Sequence, residues 1–230
     1  MDLNPYAPPS APQAASVLVA VDEATFGPMV ERHTIPNRAA IGQWELCFHE
    51  HGLVALRGDG LRLSFSPTQL VADTDLVLGT VVRMLAVRQP TRTSIPLPPE
   101  AVGALRRLLD PVLAEHLAAA LKRRVRLSLP IGLFVVAISL PFVVALDVGG
   151  LVFGGGMVLL SLGSRVVKHR ALWILDAFVW AVLATNNAVR LARGGSWFDG
   201  LFVVLGLMFA VGALKVFAFY GPTPTANLRR

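Results

Sequence analysis

Cysteine is nearly absent from this chain, since Cys47 is the only one among 230 residues. A single cysteine forms no disulfide within the chain, so we expect the soluble part to face a reducing compartment. The amino terminus lacks a basic region followed by an apolar one, so we expect no cleaved secretory signal. It is rich in proline instead, which predicts a disordered tail over residues 1–16.

Acidic residues are scarce beyond residue 121. Up to that point nine Arg stand against twelve Asp and Glu, a net charge of −3, whereas the remainder holds twelve Lys and Arg against three Asp, a net charge of +9. This positive charge flanks apolar runs, where it orients membrane helices and contacts anionic lipid headgroups. The expected partners are therefore the lipid bilayer and its anionic headgroups, and not a nucleic acid.

The chain also lacks the known motifs of catalysis and cofactor binding. It has no nucleophile elbow, P-loop, dinucleotide-binding glycine motif or HExxH helix. The isolated GDG at residues 58–60 indicates a hairpin turn and not a phosphate-binding loop. We predict a non-catalytic protein without a cofactor.

One cluster, CFHEHG, has residue types that bind metals. On a strand, Cys47, His49 and His51 would point to one face, because alternate residues do. A zinc site needs three or four converging ligands, and only His33 and His116 remain as partners. We therefore predict no metal site and keep His49 and His51 as weak candidates.

Residues 44–97 have the alternation of half-buried antiparallel strands. In WELCFHEHGLVALRGDGLRLSFSP the EHG and GDG triplets separate three runs of strand length. The run DLVLGTVVRMLAVRQPTRTSIPLP predicts one long bent strand or two shorter ones. A small antiparallel meander or partial barrel follows.

Helical spacing begins at PPEAVGALRRLLDPVLAEHLAAALKRR, which predicts a helix that closes the strands. Asp110 and Pro111 restart or kink it. The second piece would deliver the chain to the bilayer, where we expect Ser128 and Pro130 to begin a membrane helix that ends at Asp147.

Four apolar segments follow, each near the roughly 20 residues needed to span a bilayer. They cover about 129–146, 148–164, 171–189 and 200–220. The fold class is thus α+β: a β-rich part with a closing helix, followed by a four-span α-helical bundle. The predicted divisions are the tail 1–16, a soluble domain 17–126, the membrane region 127–220 and a second tail 221–230.

Lys and Arg in the short loops predict the orientation. The side that holds the soluble domain carries nine of them, namely Lys122, Arg123, Arg124, Arg126, Arg165, Lys168, Arg170, Arg229 and Arg230. The opposite side carries two, Arg190 and Arg193. This asymmetry predicts a multi-pass inner-membrane protein with both termini and the soluble domain in the cytoplasm. Trp173 and Tyr220 would be interfacial anchors on that side.

Polar residues inside a bilayer are costly and indicate a role. Asp176 and Lys215 lie at similar depths of the third and fourth segments, which predicts an ion pair between them. The pair either locks two helices or serves a function, and Lys215 alone could also reach the interface. Asn187 and Arg190 share a helix face with Asp176, and Asn186 lies beside them. These polar residues either line a solute pathway or form hydrogen bonds with neighbouring helices.

Small residues predict close helix packing at Gly150, Gly154, Gly206 and Ala210, within the chain or between copies. Basic residues of the soluble part predict headgroup contacts, although a solvated strand edge also explains the first three. These candidates are Arg83, Arg88, Arg92, Lys122, Arg123, Arg124 and Arg126.

Residues 44–121 resemble bacterial pleckstrin-homology-like domains in their order: a strand, the turn and strand in FHEHGLVALRGDG, further strands, and the closing helix at PPEAVGALRRLLDP. The resemblance implies a binding or scaffolding module without catalytic residues. The leading hypothesis is thus an accessory or regulatory subunit of a membrane assembly, with a protein partner or a homo-oligomer. The alternative is a small transporter or channel that uses the polar residues of the last two helices.

Overall fold

The computed structural model describes residues 23–38, 42–88, 92–139 and 148–221. These residues form an α+β chain, as predicted. The strands are β1 (Met29–Arg38), β2 (Gly42–His49), β3 (Leu53–Arg57), β4 (Arg62–Phe65), β5 (Thr74–Leu78), β6 (Arg83–Val87) and β7 (Thr93–Pro96). The helices are α1 (Pro67–Asp73), α2 (Ala101–Leu109), α3 (Leu113–Ser139), α4 (Val148–Val166), α5 (Leu172–Ala192) and α6 (Trp197–Phe219).

The first sheet is an antiparallel meander in the order β1-β2-β3-β4. The EHG and GDG turns join β2 to β3 and β3 to β4, so this part of the prediction is confirmed. The second turn requires glycine because Gly60 has a φ of 93°, in the left-handed region. Alternate residues of β2, namely Trp44, Leu46 and Phe48, are buried in the core.

The second sheet has three strands in the order β5-β6-β7, where we expected one bent strand or two shorter ones. Sequence patterns also did not indicate β1 or α1. Strand β1 lies at the edge of its sheet and buries only Ile35 among its described side chains, so its alternation is weak. Helix α1 is N-capped by Ser66, whose hydroxyl accepts the Gln69 N–H in a capping box.

Helix α3 runs without a break from the soluble part into the apolar region. The predicted start of a membrane helix at Ser128 and Pro130 is therefore wrong, because both residues lie inside a 27-residue helix. A proline inside a helix loses one hydrogen bond, which neighbouring helices help the backbone to tolerate. Here Gly132, two residues further on, packs closely against Gly154 of α4.

Three helices, α4, α5 and α6, are long and apolar enough to cross a membrane, which marks the chain as membrane-embedded. The first predicted span, residues 129–146, begins within α3 and continues into residues 140–147. Those residues, which include the predicted end at Asp147, lie outside the described part, as do the predicted tail 1–16 and residues 222–230 of the second tail.

The β-rich module, residues 23–112, shares one hydrophobic core with the helix bundle. The same buried cluster contains Leu85 and Leu105 of the module, Trp173 of α5 and Phe219 of α6. Trp173 and Tyr220, expected as interfacial anchors, are 8% and 6% exposed, so both pack inside the protein and not against lipid.

Candidate functional site

A buried ion pair joins α3 to α5 beneath the module. Arg124 Nη2 donates to Asp176 Oδ1 at 2.9 Å, and its Nε donates to Oδ2 at 3.2 Å. The Asp176 side chain is 4% exposed and that of Arg124 is 24% exposed. The Arg124 guanidinium also lies 5.7 Å from the centre of the Trp180 ring. Both carboxylate oxygens are therefore satisfied by one planar guanidinium.

The predicted pair between Asp176 and Lys215 is not formed. Lys215 Nζ lies 3.5 Å from the carbonyl oxygens of Gly79 and Thr80, in the turn between β5 and β6. No ion pair joins Asp176 to Lys215 in the part of the chain that the structure describes. The prediction rested on the similar depth of the two residues in the bilayer. In the structure their side chains lie on helix faces that meet different partners.

Arg123, the neighbour of Arg124, ties α3 to the module. It donates to the carboxylate of Asp75 and to the carbonyl oxygens of Val71 and Thr74. Arg88 donates to the other oxygen of Asp75 at 2.7 Å. Burial raises the pKa of Asp75, but the hydrogen bonds from Arg88 and Arg123 outweigh it and the net pKa is lowered.

These contacts correct part of the headgroup prediction. Arg123 and Arg124 are 20% and 24% exposed and are engaged in ion pairs within the protein. Arg88 also pairs with Asp75, but its side chain is 49% exposed and stays a candidate for headgroup contact. Arg83 is half-buried and Arg92 is exposed. Lys122 and Arg126 are exposed and line a groove on the helix bundle.

Lys122 and Arg126 line a groove between α3 and α4, of about 540 Å³, which we call the basic groove. Arg165 and Lys168 complete its positive charge, and no acidic residue lines it among the described residues. All four cationic side chains are exposed. The groove can therefore accept an anionic group of the size of a phosphate headgroup.

A second set of contacts holds the module to the end of α6. Arg106 Nε donates to the carbonyl oxygen of Phe219 at 2.9 Å, and Arg106 Nη2 donates to that of Gly221 at 3.1 Å. His116 Nδ1 lies 2.7 Å from the hydroxyl oxygen of Tyr220. Burial, and then the charge of Arg123, lower the pKa of His116 to about 4. His116 is therefore neutral at physiological pH.

The polar residues towards the far end of α5 bond within the protein. Asn187 Nδ2 donates to the carbonyl oxygen of Leu183 at 2.8 Å, and the Asn186 side chain packs against Gly149 of α4. Arg190 Nε lies 3.2 Å from Oδ1 of Asp199 at the start of α6. Sequence reasoning missed this pair, although the short loop between α5 and α6 brings these residues near each other.

The small residues serve packing within the chain where their contacts are described. A Cβ on Gly154 would lie 2.9 Å from the Val136 nitrogen of α3, and one on Gly206 would lie 2.9 Å from the Trp180 oxygen of α5. Ala210 is buried and Gly150 is half-buried. Helices α3 and α4, and α5 and α6, thus approach each other at glycine.

The residues considered for a metal site are apart or otherwise bonded. Cys47 packs with Phe26, and burial followed by the hydrogen bond to Glu45 raises the pKa of its thiol to about 11. His49 Nδ1 lies 3.0 Å from the Gly27 carbonyl oxygen, while His51 is exposed beyond the end of β2. No group of three metal-binding side chains occurs among the described residues.

His33 and His116, the remaining candidate ligands, also have other neighbours. His33 Nε2 lies 3.3 Å from Glu31, and its ring meets Phe48 edge-on. The ring of His116, in α3, lies 5.9 Å from that of Tyr220 at the end of α6.

Comparisons of the chain with protein-family models, with curated proteins and with solved structures found no match.

Proposed function

We propose that this chain is a non-catalytic, multi-pass inner-membrane protein whose β-rich module binds or scaffolds a partner, as an accessory or regulatory subunit of a membrane assembly. The observation that carries this proposal is the core that the module shares with α5 and α6. Arg106 adds a polar tie between the module and α6, and Arg123 adds one between the module and α3. A partner that binds the module is thereby linked mechanically to the helices.

The order of elements supports assigning residues 44–121 to a pleckstrin-homology-like domain. Antiparallel strands in two sheets precede α2, whose buried residues Leu105 and Leu109 pack into the strand core. Domains of this kind act as binding or scaffolding modules, so the assignment favours recognition over catalysis. Fold alone does not identify the ligand.

The proposed topology has four spans, with the module and both termini in the cytoplasm. Helix α3 extends 13 residues beyond Arg126, to Ser139, and so supports a first span. The excess of Lys and Arg at the module end of the bundle supports the cytoplasmic side. A reporter fused after Arg230 is expected to be cytoplasmic. An extracytoplasmic reporter would show that the topology is wrong.

The partner surface that we favour is a groove of about 520 Å³ between the two sheets. Thr34, Ile35 and Pro36 of β1 form one wall, and Met84 of β6 and Pro96 of β7 belong to the other. Among the described strands, edge strand β1 pairs with β2 alone. The edge that faces away from β2 and the apolar walls suit an extended apolar segment of a protein partner.

Co-purification from native membranes tests the proposal. We compare the wild-type chain with Thr34→Arg, which places a charge in the groove, and with Thr68→Arg, which places the same charge at an exposed position of α1. A stoichiometric protein retained by the wild type and Thr68→Arg but lost with Thr34→Arg supports the proposal. No stoichiometric partner, or one retained equally by all three, contradicts the proposed role of this groove.

The transporter alternative uses Asp176, Asn187 and Lys215. Asp176 is bonded to Arg124 and Asn187 to its own helix, so their contacts favour packing over a solute pathway. Alanine at these three positions separates the two functions. Loss of assembly favours the anchored module, whereas a stable protein with lost solute flux favours transport.

A further inference from the structure

The turn between β5 and β6, residues 79–82, lies against the side of α6. The Thr80 hydroxyl donates to the carbonyl oxygen of Met208 at 2.9 Å. A Cβ on Gly212 would lie 3.7 Å from the Gly79 Cα, so the two backbones pass close to each other at glycine. Lys215 approaches the carbonyl oxygens of the same turn. The turn thus follows α6 from Lys215 to Met208.

Met208 is the central residue of α6, eleven residues from Trp197 and eleven from Phe219. At 1.5 Å per residue it lies about 16 Å from either end of the helix. The hydrocarbon core of a bilayer is about 30 Å thick. Because α6 is long and apolar enough to cross a membrane, its middle lies within the hydrocarbon. The turn therefore extends along α6 from near the end that meets the module to the middle of the helix.

The tip of this turn has the composition that a lipid contact requires. Residues 78–82 read LGTVV and carry no charge. Val81 is 77% exposed and Val82 is 45% exposed. Leu207 and Val211 of α6, on either side of Met208, are exposed as well. The valines of the tip and the outward face of α6 are thus both apolar and exposed.

Partners for the polar groups of the turn are also present. A backbone that enters hydrocarbon is tolerated where protein groups satisfy it. Here the Met208 carbonyl oxygen accepts the Thr80 hydroxyl, and the Lys215 ammonium lies 3.5 Å from two carbonyl oxygens of the turn. The first charged residue after the turn is Arg83. The ammonium group of Lys215 in α6 is therefore directed to the module and not to α5.

We propose that the β5–β6 turn inserts into the bilayer leaflet that faces the module, with Val81 and Val82 in contact with lipid acyl chains. The module then holds the membrane through its own apolar tip as well as through the helices. This position constrains the module's orientation relative to the bilayer plane. Val81 and Val82 also line the groove proposed above for a protein partner, so a partner in that groove would bind next to the bilayer. The insertion itself rests on the membrane position of α6.

Spin labelling in lipid vesicles tests the depth of the turn. In a Cys47→Ala background, Val81→Cys carries the label, Leu214→Cys on the exposed side of α6 is the lipid control, and Val30→Cys on exposed β1 is the water control. We expect the ratio of collisions with oxygen to collisions with a water-soluble nickel complex to be several-fold higher at Val81 than at Val30, and close to that at Leu214. A ratio at Val81 equal to that at Val30 would overturn the proposal.

A second measurement uses the wild-type chain and needs no substitution. Vesicles contain a phospholipid with a photoactivatable diazirine at the end of its acyl chain, and labelled peptides are identified by mass spectrometry. We expect adducts on residues 77–82 and on α6, and none on Met29 and Val30, which are also exposed and apolar. Adducts on α6 without adducts on residues 77–82 would place the turn outside the hydrocarbon and refute the insertion.

Discussion

Arg124 of α3 binds Asp176 of α5 at two points, with N–O distances of 2.9 and 3.2 Å. The pair lies where the helix that leaves the module meets the bundle. Because Asp176 is almost fully buried, its charge is stable only while the guanidinium stays in place. The position of α3 is thereby coupled to that of α5.

Removing one member of this pair is expected to destabilise the protein strongly. Arg124→Gln leaves the buried Asp176 without its partner, at a cost of about 3–5 kcal/mol, whereas Asp176→Asn leaves the partly exposed Arg124 and should cost less. The double variant leaves neither charge, so it should recover much of that loss. Thermal unfolding in detergent measures each variant. The matched cycle of Lys215→Gln with Asp176→Asn should show no coupling, and coupling there in place of Arg124 would contradict the observed pair.

Arg123→Ala is expected to loosen β5 from α3. The substitution removes the donor to Asp75 and to the carbonyl oxygens of Val71 and Thr74. Hydrogen exchange of Thr74–Leu78, followed by mass spectrometry, should become faster. Arg126→Ala, one turn further along the helix and exposed, is the control and should leave this exchange unchanged. Equal exchange in both variants would exclude Arg123 as a tie.

Adjacent glycines of α4 are expected to respond oppositely to alanine. A Cβ on Gly154 would lie 2.9 Å from the Val136 nitrogen and 3.0 Å from the Gly132 oxygen, and neither backbone atom can move alone. Gly154→Ala should therefore cost about 1–3 kcal/mol. Gly155 has no heavy atom within 4 Å of such a Cβ, so Gly155→Ala should stabilise the helix by about 0.5–1 kcal/mol. Unfolding midpoints in detergent measure both, and similar midpoints would contradict the close α3–α4 contact.

Acid is expected to destabilise the protein through His116. Its pKa is about 4 in the folded protein against a reference value of 6.5, so the unfolded chain binds the proton more tightly. Stability is full above about pH 6.5 and falls as the pH decreases towards 4, by roughly 3 kcal/mol at most. Unfolding measured from pH 7 to pH 4 tests this. His116→Gln should flatten the dependence, whereas His51→Gln, at an exposed position, should retain it.

Neutralising the basic groove is expected to reduce the retention of anionic lipid. The variant replaces Lys122, Arg126, Arg165 and Lys168 by glutamine, and each lost charge weakens the attraction to an anionic headgroup by about 1 kcal/mol. Native mass spectrometry of protein extracted with anionic and zwitterionic lipids measures the bound species. Arg32→Gln with Arg193→Gln is the control, since both residues are exposed outside the groove. Equal retention by both variants would show that the groove is not a lipid site.

The elements were more predictable than their contacts. Period-two alternation and the EHG and GDG turns correctly indicated β2, β3 and β4. Helix α1, seven residues long, is too short to show hydrophobic periodicity, and its sequence signal is instead the capping box of Ser66 and Gln69. The partner of Asp176 was predicted to be Lys215 because depth in the bilayer can be counted along the chain. The direction in which a side chain points depends instead on how each helix is rotated relative to its neighbours. Arg124 was predicted to contact lipid headgroups because the sequence does not show that its side chain faces Asp176.

By itself the sequence determined the α+β class, the apolar character of α4, α5 and α6, and the excess of positive charge at the module end, since these follow from local composition and spacing. Only the tertiary structure decided that α3 is continuous, that Arg124 and not Lys215 neutralises Asp176, and that the β5–β6 turn reaches Met208. The last two are contacts between residues more than 50 positions apart. They depend on the packing of whole helices against a sheet, which no local pattern encodes.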